Sequence, residues 1–441
     1  MSLSRRTFLG SSAVAVIAAG TMVKGKVEGA NERVGVCVVG INGRGGSHID
    51  GFTKSPDSEV VALCDVDANI LKMRGDELDA ATGKKVKRYS DIREALADPA
   101  IHAVSIATPN HWHALAAIWA VKAGKDVYVE KPASHEIFEG QQLVALAAST
   151  DRIIQHGTQS RSNVTLRRDI PLLQSGEIIG ALHTVRALGY KTGGNRDALP
   201  EVADSEAPEG LNWRLWQGPA SEKPYNKNFH PYSWHWFWHY GNGEIGNQGV
   251  HEMDIAQWTM NKGAPVKVYS AGGRYTYTDQ GQTPNTNIAS FTYADGTMLT
   301  FEVRNRYTNT EGGVEIDGKF LPGVGVGTLF YGSDGYYVQG QGFYDKKNKP
   351  IPIDDSKFPK PTNGVHFENF LAAVKARDKN LIHGNMNDAH TTCTFCHMAN
   401  TSYRLGRSLE FDPATQRYTD DEANAYLKRA YHADFEVPQL A

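Results

Sequence analysis

What this 441-residue chain lacks narrows it first. It has only four cysteines, Cys37, Cys64, Cys393 and Cys396, which is no disulfide framework. Cys393-Thr394-Phe395-Cys396-His397 has the spacing of a haem-attachment motif. The surrounding Thr391–Arg404 reads as a packed amphipathic helix, so that reading is rejected. A formal net charge of −3 argues against nucleic acid as a partner. There is no internal repeat, low-complexity tract or long charge block, which leaves a globular chain with room for two domains. The apolar run Ser11–Met22 is too short to span a bilayer comfortably. It follows Ser4-Arg5-Arg6-Thr7-Phe8-Leu9-Gly10, and twin arginines before a short hydrophobic segment look like a Tat signal. The expectation is an exported, periplasmic or extracytoplasmic protein, with residues 1–30 as the signal segment and no membrane span once it is removed.

What is present begins with a dinucleotide-binding pattern. Arg33–Val39 is an apolar strand that runs into Gly40-Ile41-Asn42-Gly43-Arg44-Gly45-Gly46. Gly40 and Gly45 hold the first and third places of the phosphate-binding fingerprint, and Asn42 takes the second. Asn tolerates left-handed backbone angles better than most residues. The next strand, Glu59–Cys64, ends in Asp65, positioned to accept hydrogen bonds from ribose hydroxyls. Asp65 repels a 2′-phosphate, which favours NAD over NADP, while Arg44 keeps NADP as the less favoured alternative. A third strand, Ala103–Ala107, delivers Thr108-Pro109-Asn110-His111-Trp112-His113 to the same sheet edge, with Asn110 as a helix cap or a cofactor contact. A fourth, Val127-Tyr128-Val129, ends in Glu130-Lys131-Pro132. Pro132 cannot continue the ladder, so Lys131 is presented where a cofactor lies in an open parallel sheet.

The glycine loop, Asp65, Thr108-Pro109-Asn110-His111 and Glu130-Lys131-Pro132 together resemble the Gfo/Idh/MocA oxidoreductase family, over nearly the whole chain after residue 31. The resemblance implies an N-terminal Rossmann domain, taken here as 31–156. It also implies a C-terminal α+β domain, 157–441, on an open, mostly antiparallel sheet. That sheet carries a sugar site on one face and an oligomer contact, in a dimer or tetramer, on the other. The cofactor set is Gly40, Asn42, Gly43, Arg44, Gly45, Asp65, Thr108, Asn110, His113, Glu130 and Lys131. Family members carry an Asp four residues before a His at a helix facing the nicotinamide. Here His251 matches the histidine and Asn247 stands in the aspartate position. Lys131, Asn247 and His251 are the catalytic candidates, with His251 as proton shuttle from a reference pKa near 6.5.

Six of the eight tryptophans fall between Trp213 and Trp258, densest in Phe229–Tyr240. Aromatic faces suit the apolar face of a sugar ring, with His and Asn for its hydroxyls; an aromatic core is the alternative. The substrate candidates are Arg161, Tyr190, Trp234, His235, Trp238 and His251. His235 and His239 have one-turn spacing, as do His251 and Asp254, but no metal-ligand motif is complete, and no metal is expected. The segment Thr192–Gly210 reads as a long loop inside the second domain.

An exported nicotinamide fold has no cofactor pool outside the cytoplasm, which points to NAD loaded before export and kept. Three functions fit. One is a carbohydrate oxidoreductase. Another is an NAD-dependent glycosidase working by transient C3 oxidation and elimination. The third is a non-catalytic sugar-binding protein.

Overall fold

The computed structural model describes residues 33–441 apart from 194–195, 317–318 and 355–365. The twin-arginine segment lies outside the described residues. From Val34 strands alternate with helices. β1 (Val34–Val39), β2 (Ser58–Cys64), β3 (Lys87–Tyr89), β4 (Ala103–Ile106), β5 (Asp126–Val129) and β6 (Ile154–His156) form one parallel sheet in the order β3-β2-β1-β4-β5-β6. Helices α1 (Arg44–Lys54), α2 (Ala68–Thr82), α3 (Ile92–Leu96), α4 (Asn110–Lys122) and α5 (Ile137–Ser149) connect the strands. Covered on both faces, β1, β4 and β5 are buried along their whole length, so they read as apolar runs without alternation. Strand order reverses between β1 and β4, and a crevice opens at the carboxyl ends of the strands there.

After β6, α6 (Val164–Ser175) leads to a second sheet of ten strands. Its centre is β7 (Leu182–Gly189), β8 (Lys267–Gly273), β9 (Thr286–Thr292) and β10 (Met298–Arg304), in the order β7-β10-β9-β8. Only β7 with β10 is parallel; β8 with β9 and β9 with β10 are antiparallel, as are the pairings that extend the sheet at both ends. Side chains alternate along these strands, with Val268, Phe291 and Phe301 inward and Tyr269, Ile288 and Met298 exposed. The inward face packs on α8 (Val250–Met260) and α10 (Met386–Leu405), through Met253 and Phe395 among others; the short α7 (Trp213–Gln217) and α9 (His366–Ala376) lie elsewhere on the molecule.

The two halves share their cores. Phe367, Phe370, Leu371 and Val374 of α9 pack into the first sheet's core with Phe52 and Tyr128. Met386, Ala389 and Cys393 of α10 join the core beneath α4 and α5. Each large side chain buried this way stabilises by roughly 1.5–3 kcal/mol, so residues well beyond 157 help to hold the dinucleotide-binding half. The loop 192–210 also crosses to that half: Ala68 N–H donates to the Gly210 carbonyl at 2.9 Å, and Asn69 Nδ2 donates to the Glu209 carbonyl at 3.1 Å. Among the described residues no helix is long and apolar enough to cross a membrane.

Candidate active site

The crevice at the strand ends is a cavity of about 290 Å³. Its floor is the β1–α1 turn, and the chain leaves no room there for side chains. Gly40 has φ +78°, and a Cβ on it would sit 2.7 Å from the Thr108 nitrogen. A Cβ on Gly45 would lie 2.0 Å from the Gly40 carbonyl oxygen, so helix and turn close-pack only with glycine. Above Gly43 the space is open. No side chain caps α1 at Gly43, so the first-turn N–H groups and the positive end of the helix remain available for a phosphate. The Thr108 hydroxyl, on the cavity wall, is buried with no hydrogen-bond partner among the described residues. Asp65 ends β2 beside this turn and accepts hydrogen bonds from the N–H of Ile41 at 2.8 Å and of Asp67 at 3.0 Å. Burial pushes its pKa up to about 6 against those hydrogen bonds. The turn, the uncapped helix and Asp65 together fit a dinucleotide.

Glu130 braces the turn from below. Its Oε1 accepts from Arg44 Nε at 2.8 Å and Gln159 Nε2 at 2.9 Å and meets His48 Nε2 at 3.1 Å, while Oε2 accepts from Lys131 N–H at 3.1 Å. Burial opposes its charge, yet the His48 hydrogen bond and the Arg44 guanidinium hold its carboxyl well below the usual carboxylate range. Arg44 thus gives its Nε to Glu130 while its side chain stays 43% exposed.

Lys131 follows a strand fixed on both sides by pairing, so its side chain is aimed across the cavity. Its Nζ donates to the Asn247 carbonyl at 2.7 Å and lies 3.5 Å from Asn247 Oδ1. Asn247 Nδ2 donates to Glu244 Oε2 at 3.2 Å, and Glu244 Oε1 accepts from Arg196 Nε at 2.8 Å. A π-helical turn over Ile245–Gly249, just ahead of α8, presents Asn247. A carboxylate therefore exists in this network, one turn before the aspartate position of the family. Burial lowers the Lys131 pKa, against the attraction of Glu130 and Glu244.

The remaining sequence candidates divide. Gly40, Asn42, Gly43, Arg44, Asp65, Thr108, Asn110, His113, Glu130, Lys131, Asn247, Trp234 and His235 line the cavity, whereas Gly45 acts through the turn geometry beneath it. Asn110 does not cap α4; its Nδ2 donates to Asn242 Oδ1 at 3.1 Å. His113 has both ring nitrogens against carbonyls, Pro132 O at 2.6 Å and Thr108 O at 2.8 Å, and so ties the two strand ends together. His235 stacks on Trp234 with ring centroids 3.6 Å apart. His251 is not on the cavity wall. It lies near Lys131 and His156, and burial, then the Lys131 charge, push its pKa down to about 3. Burial and the neighbouring ammonium thus disfavour its charged form.

Three substrate candidates sit elsewhere. Arg161 is saturated in the core: Asp254 accepts from its Nε at 2.8 Å and its Nη2 at 2.9 Å, and Asp388 accepts from Nη1 at 2.6 Å. Tyr190 is buried in the second domain beneath the Arg304 guanidinium, 3.6 Å from its ring centroid. Trp238 faces a second cavity, with His239, whereas His235 faces the first. Sequence reading passed over His230, Tyr232 and Trp216 as individual wall residues, and Arg196 entirely. The only local signal was the three-residue spacing of Glu244 and Asn247; Arg196 is brought in by the long loop.

Comparison with known proteins agrees with this geometry. A glycosyl hydrolase family 109 protein of Shewanella pealeana is 31% identical over 156 residues, 34% of this chain and 33% of that protein. An oxidoreductase of Rhizobium meliloti is 36% identical over 158 residues, 36% of this chain and 45% of that protein. The chain thus spans less than half the length of these curated relatives. The WlbA dehydrogenase from Bordetella pertussis, crystallised with NADH and UDP-GlcNAcA, superposes with a TM-score of 0.62 at 18% identity, over 86% of this chain and 99% of that one. The scyllo-inositol dehydrogenase from Lactobacillus casei does so at 0.61 and 16%, over 86% and 98%. Such identities speak to the fold alone. The model of the oxidoreductase family NAD-binding Rossmann fold matches residues 34–158, and that of the family's C-terminal alpha/beta domain matches 183–324 and 336–437. With both halves matched, the chain belongs to the Gfo/Idh/MocA family of NAD-binding oxidoreductases.

Proposed function

We propose that this chain is a carbohydrate-active, NAD-dependent oxidoreductase that transfers hydride between a hydroxyl-bearing carbon of a sugar or glycoside and a tightly held NAD. The observation that carries this reading is a single cavity with two chemistries. The glycine turn and Asp65 line one side, and Lys131, Asn247, His230, Tyr232, Trp234 and His235 line another. NAD, when bound, supplies the hydride acceptor or donor. Lys131 points its ammonium to the space shared by both sides, where it stabilises a developing alkoxide and takes up or releases the hydroxyl proton. Burial favours its neutral form, which suits it to accept that proton. Glu244 and Asn247 orient it, and Arg196 fixes Glu244. The Trp234–His235 stack offers a flat face and the His235 Nε2 to a sugar, His235 Nδ1 being held by the Tyr232 carbonyl at 2.8 Å.

A second reading, an NAD-dependent glycosidase acting by oxidation, elimination and re-reduction, is favoured by the family 109 relatives at about 31% identity. Asn247 in place of the family aspartate also supports it, since a modified proton network suits a reaction with no net redox. We further propose that the protein is exported with its cofactor in place. The exposed Tyr269, Ile288 and Met298 on the outer face of the ten-stranded sheet support a homo-oligomer.

The test is mass-spectrometric product analysis of as-purified protein incubated with a glycoside panel and no added cofactor. A substrate lighter by two hydrogens supports the oxidoreductase. A cleaved glycoside with an unoxidised sugar selects the glycosidase. No reaction, with no NAD released on denaturation, overturns both.

A further inference from the structure

A second cavity of about 370 Å³ shares no lining residue with the first. A wall of amides separates them: Asn242 accepts from Asn110 on one side, donates to the His135 carbonyl at 3.0 Å, and takes Asn400 Nδ2 on its own carbonyl at 2.9 Å. Trp238, read from sequence as a sugar platform, opens into this second space.

The charges here do not balance. Arg404, in the last turn of α10, has its guanidinium carbon 5.2 Å from the Trp238 ring centroid and 4.5 Å from that of Tyr426. Its side chain is exposed, and among the described residues it has no carboxylate at ion-pair distance. Held by its flat faces, the guanidinium keeps its N–H edge free for a bidentate acceptor. Arg429 donates from Nη2 to the His239 carbonyl at 2.8 Å, meets His135 Nδ1 with Nη1 at 3.3 Å, and reaches Glu136 only at 3.9 Å. Lys428 also lines the space, but its Nζ turns to the Phe138 ring, 4.4 Å from the centroid, and to the exposed Glu436 at 3.6 Å, neither of them on the cavity wall. Glu136 is a weak counter-charge, because burial pushes its pKa up. Glu136 Oε1 meets His135 Nδ1 at 2.5 Å, while among the described residues Glu136 Oε2 and His135 Nε2, both on this wall, are buried without hydrogen-bond partners; His135 is 6% exposed. Two guanidinium groups, two aromatic rings and unpaired polar atoms around one space describe a ligand site.

We infer that this cavity binds a small organic oxyanion, a carboxylate or phosphate ester on a polyol, independently of the cofactor cavity. Arg404 takes the anionic group, Arg429 adds attraction, and the edges of Trp238 and Tyr426 flank the carbon skeleton. Ligand-site volumes begin near 300 Å³, so the guest is about the size of one hexose.

The experiment is calorimetric titration of the NAD-loaded protein with glucuronate, glucose 6-phosphate and neutral glucose, following tryptophan fluorescence in parallel. The expected result is saturable binding of at least one anion with a fluorescence change that glucose does not give. The arm that binds identifies carboxylate or phosphate as the source. Arg404→Gln weakens that binding about tenfold or more while NAD content stays at the wild-type level, and Lys428→Gln weakens it less. Two results overturn the inference: no saturable binding of either anion at millimolar concentration, or binding that persists unchanged in both variants. Because the site was read from this cavity alone, a failure of the proposed oxidoreductase chemistry leaves the outcome unaffected.

Discussion

The two sides of the cofactor cavity are built from opposite materials. At the glycine turn the work is done by backbone, and the side chains matter by their absence: Gly45 leaves the Gly40 carbonyl its space, and the first turn of α1 stays uncapped. On the opposite side everything depends on side chains from distant segments. Lys131 leaves β5, Asn247 and Glu244 come from the turn before α8, and Arg196 arrives on a long loop. A backbone site tolerates no added atom. A side-chain relay loses function in steps, and the size of each loss reports how close the residue stands to the reacting atoms.

That contrast can be broken most sharply at Gly45. Gly45→Val places a branched side chain where even a Cβ would be 2.0 Å from a carbonyl oxygen, so the purified variant should carry no NAD by release and mass analysis. Full cofactor occupancy would show that the turn does not hold the pyrophosphate.

Lys131→Ala should retain NAD while turnover falls by about 10³-fold, the scale of removing a positioned acid–base group. Single-turnover rates with NAD-loaded protein are the measurement, and wild-type rates would remove the lysine from the chemistry.

Glu244→Gln should be milder, a loss of about ten- to a hundredfold from misplacement of Lys131, chiefly in kcat. It carries a signature that a purely structural role would not. The Glu244 carboxylate raises the Lys131 pKa, so its removal lowers that pKa. The limb of the pH–rate profile on which Lys131 loses its proton should move to lower pH. An unmoved limb would leave Glu244 as packing only.

The same contrast explains what could be read in advance. Turn, strand end and acidic residue lie within one βα unit and its successor, where local sterics dictate residue type. Gly40, Gly45, Asp65 and the Glu130-Lys131-Pro132 exit were therefore legible, along with the parallel sheet and the family. The aromatic segment was legible only as a group. Trp234 and Trp238 are one helical turn apart in sequence, yet they open into different cavities because a short turn at Ser233–Trp236 redirects the chain. Arg161 looked available because Asp254 and Asp388, which consume its guanidinium, lie 93 and 227 residues away. The pKa of His251 was not legible, because a reference value carries no burial and no neighbouring ammonium.

By itself the sequence determined the dinucleotide half, its cofactor class and the strand that presents Lys131, since these follow from backbone sterics and hydrophobic runs within short windows. Tertiary structure alone decided which imidazole is buried beside an ammonium, which arginine is spent, and that the Glu244 carboxylate stands beside Asn247. Desolvation and charge pairing depend on what surrounds a group in space, and here those surroundings come from parts of the chain that are remote in sequence.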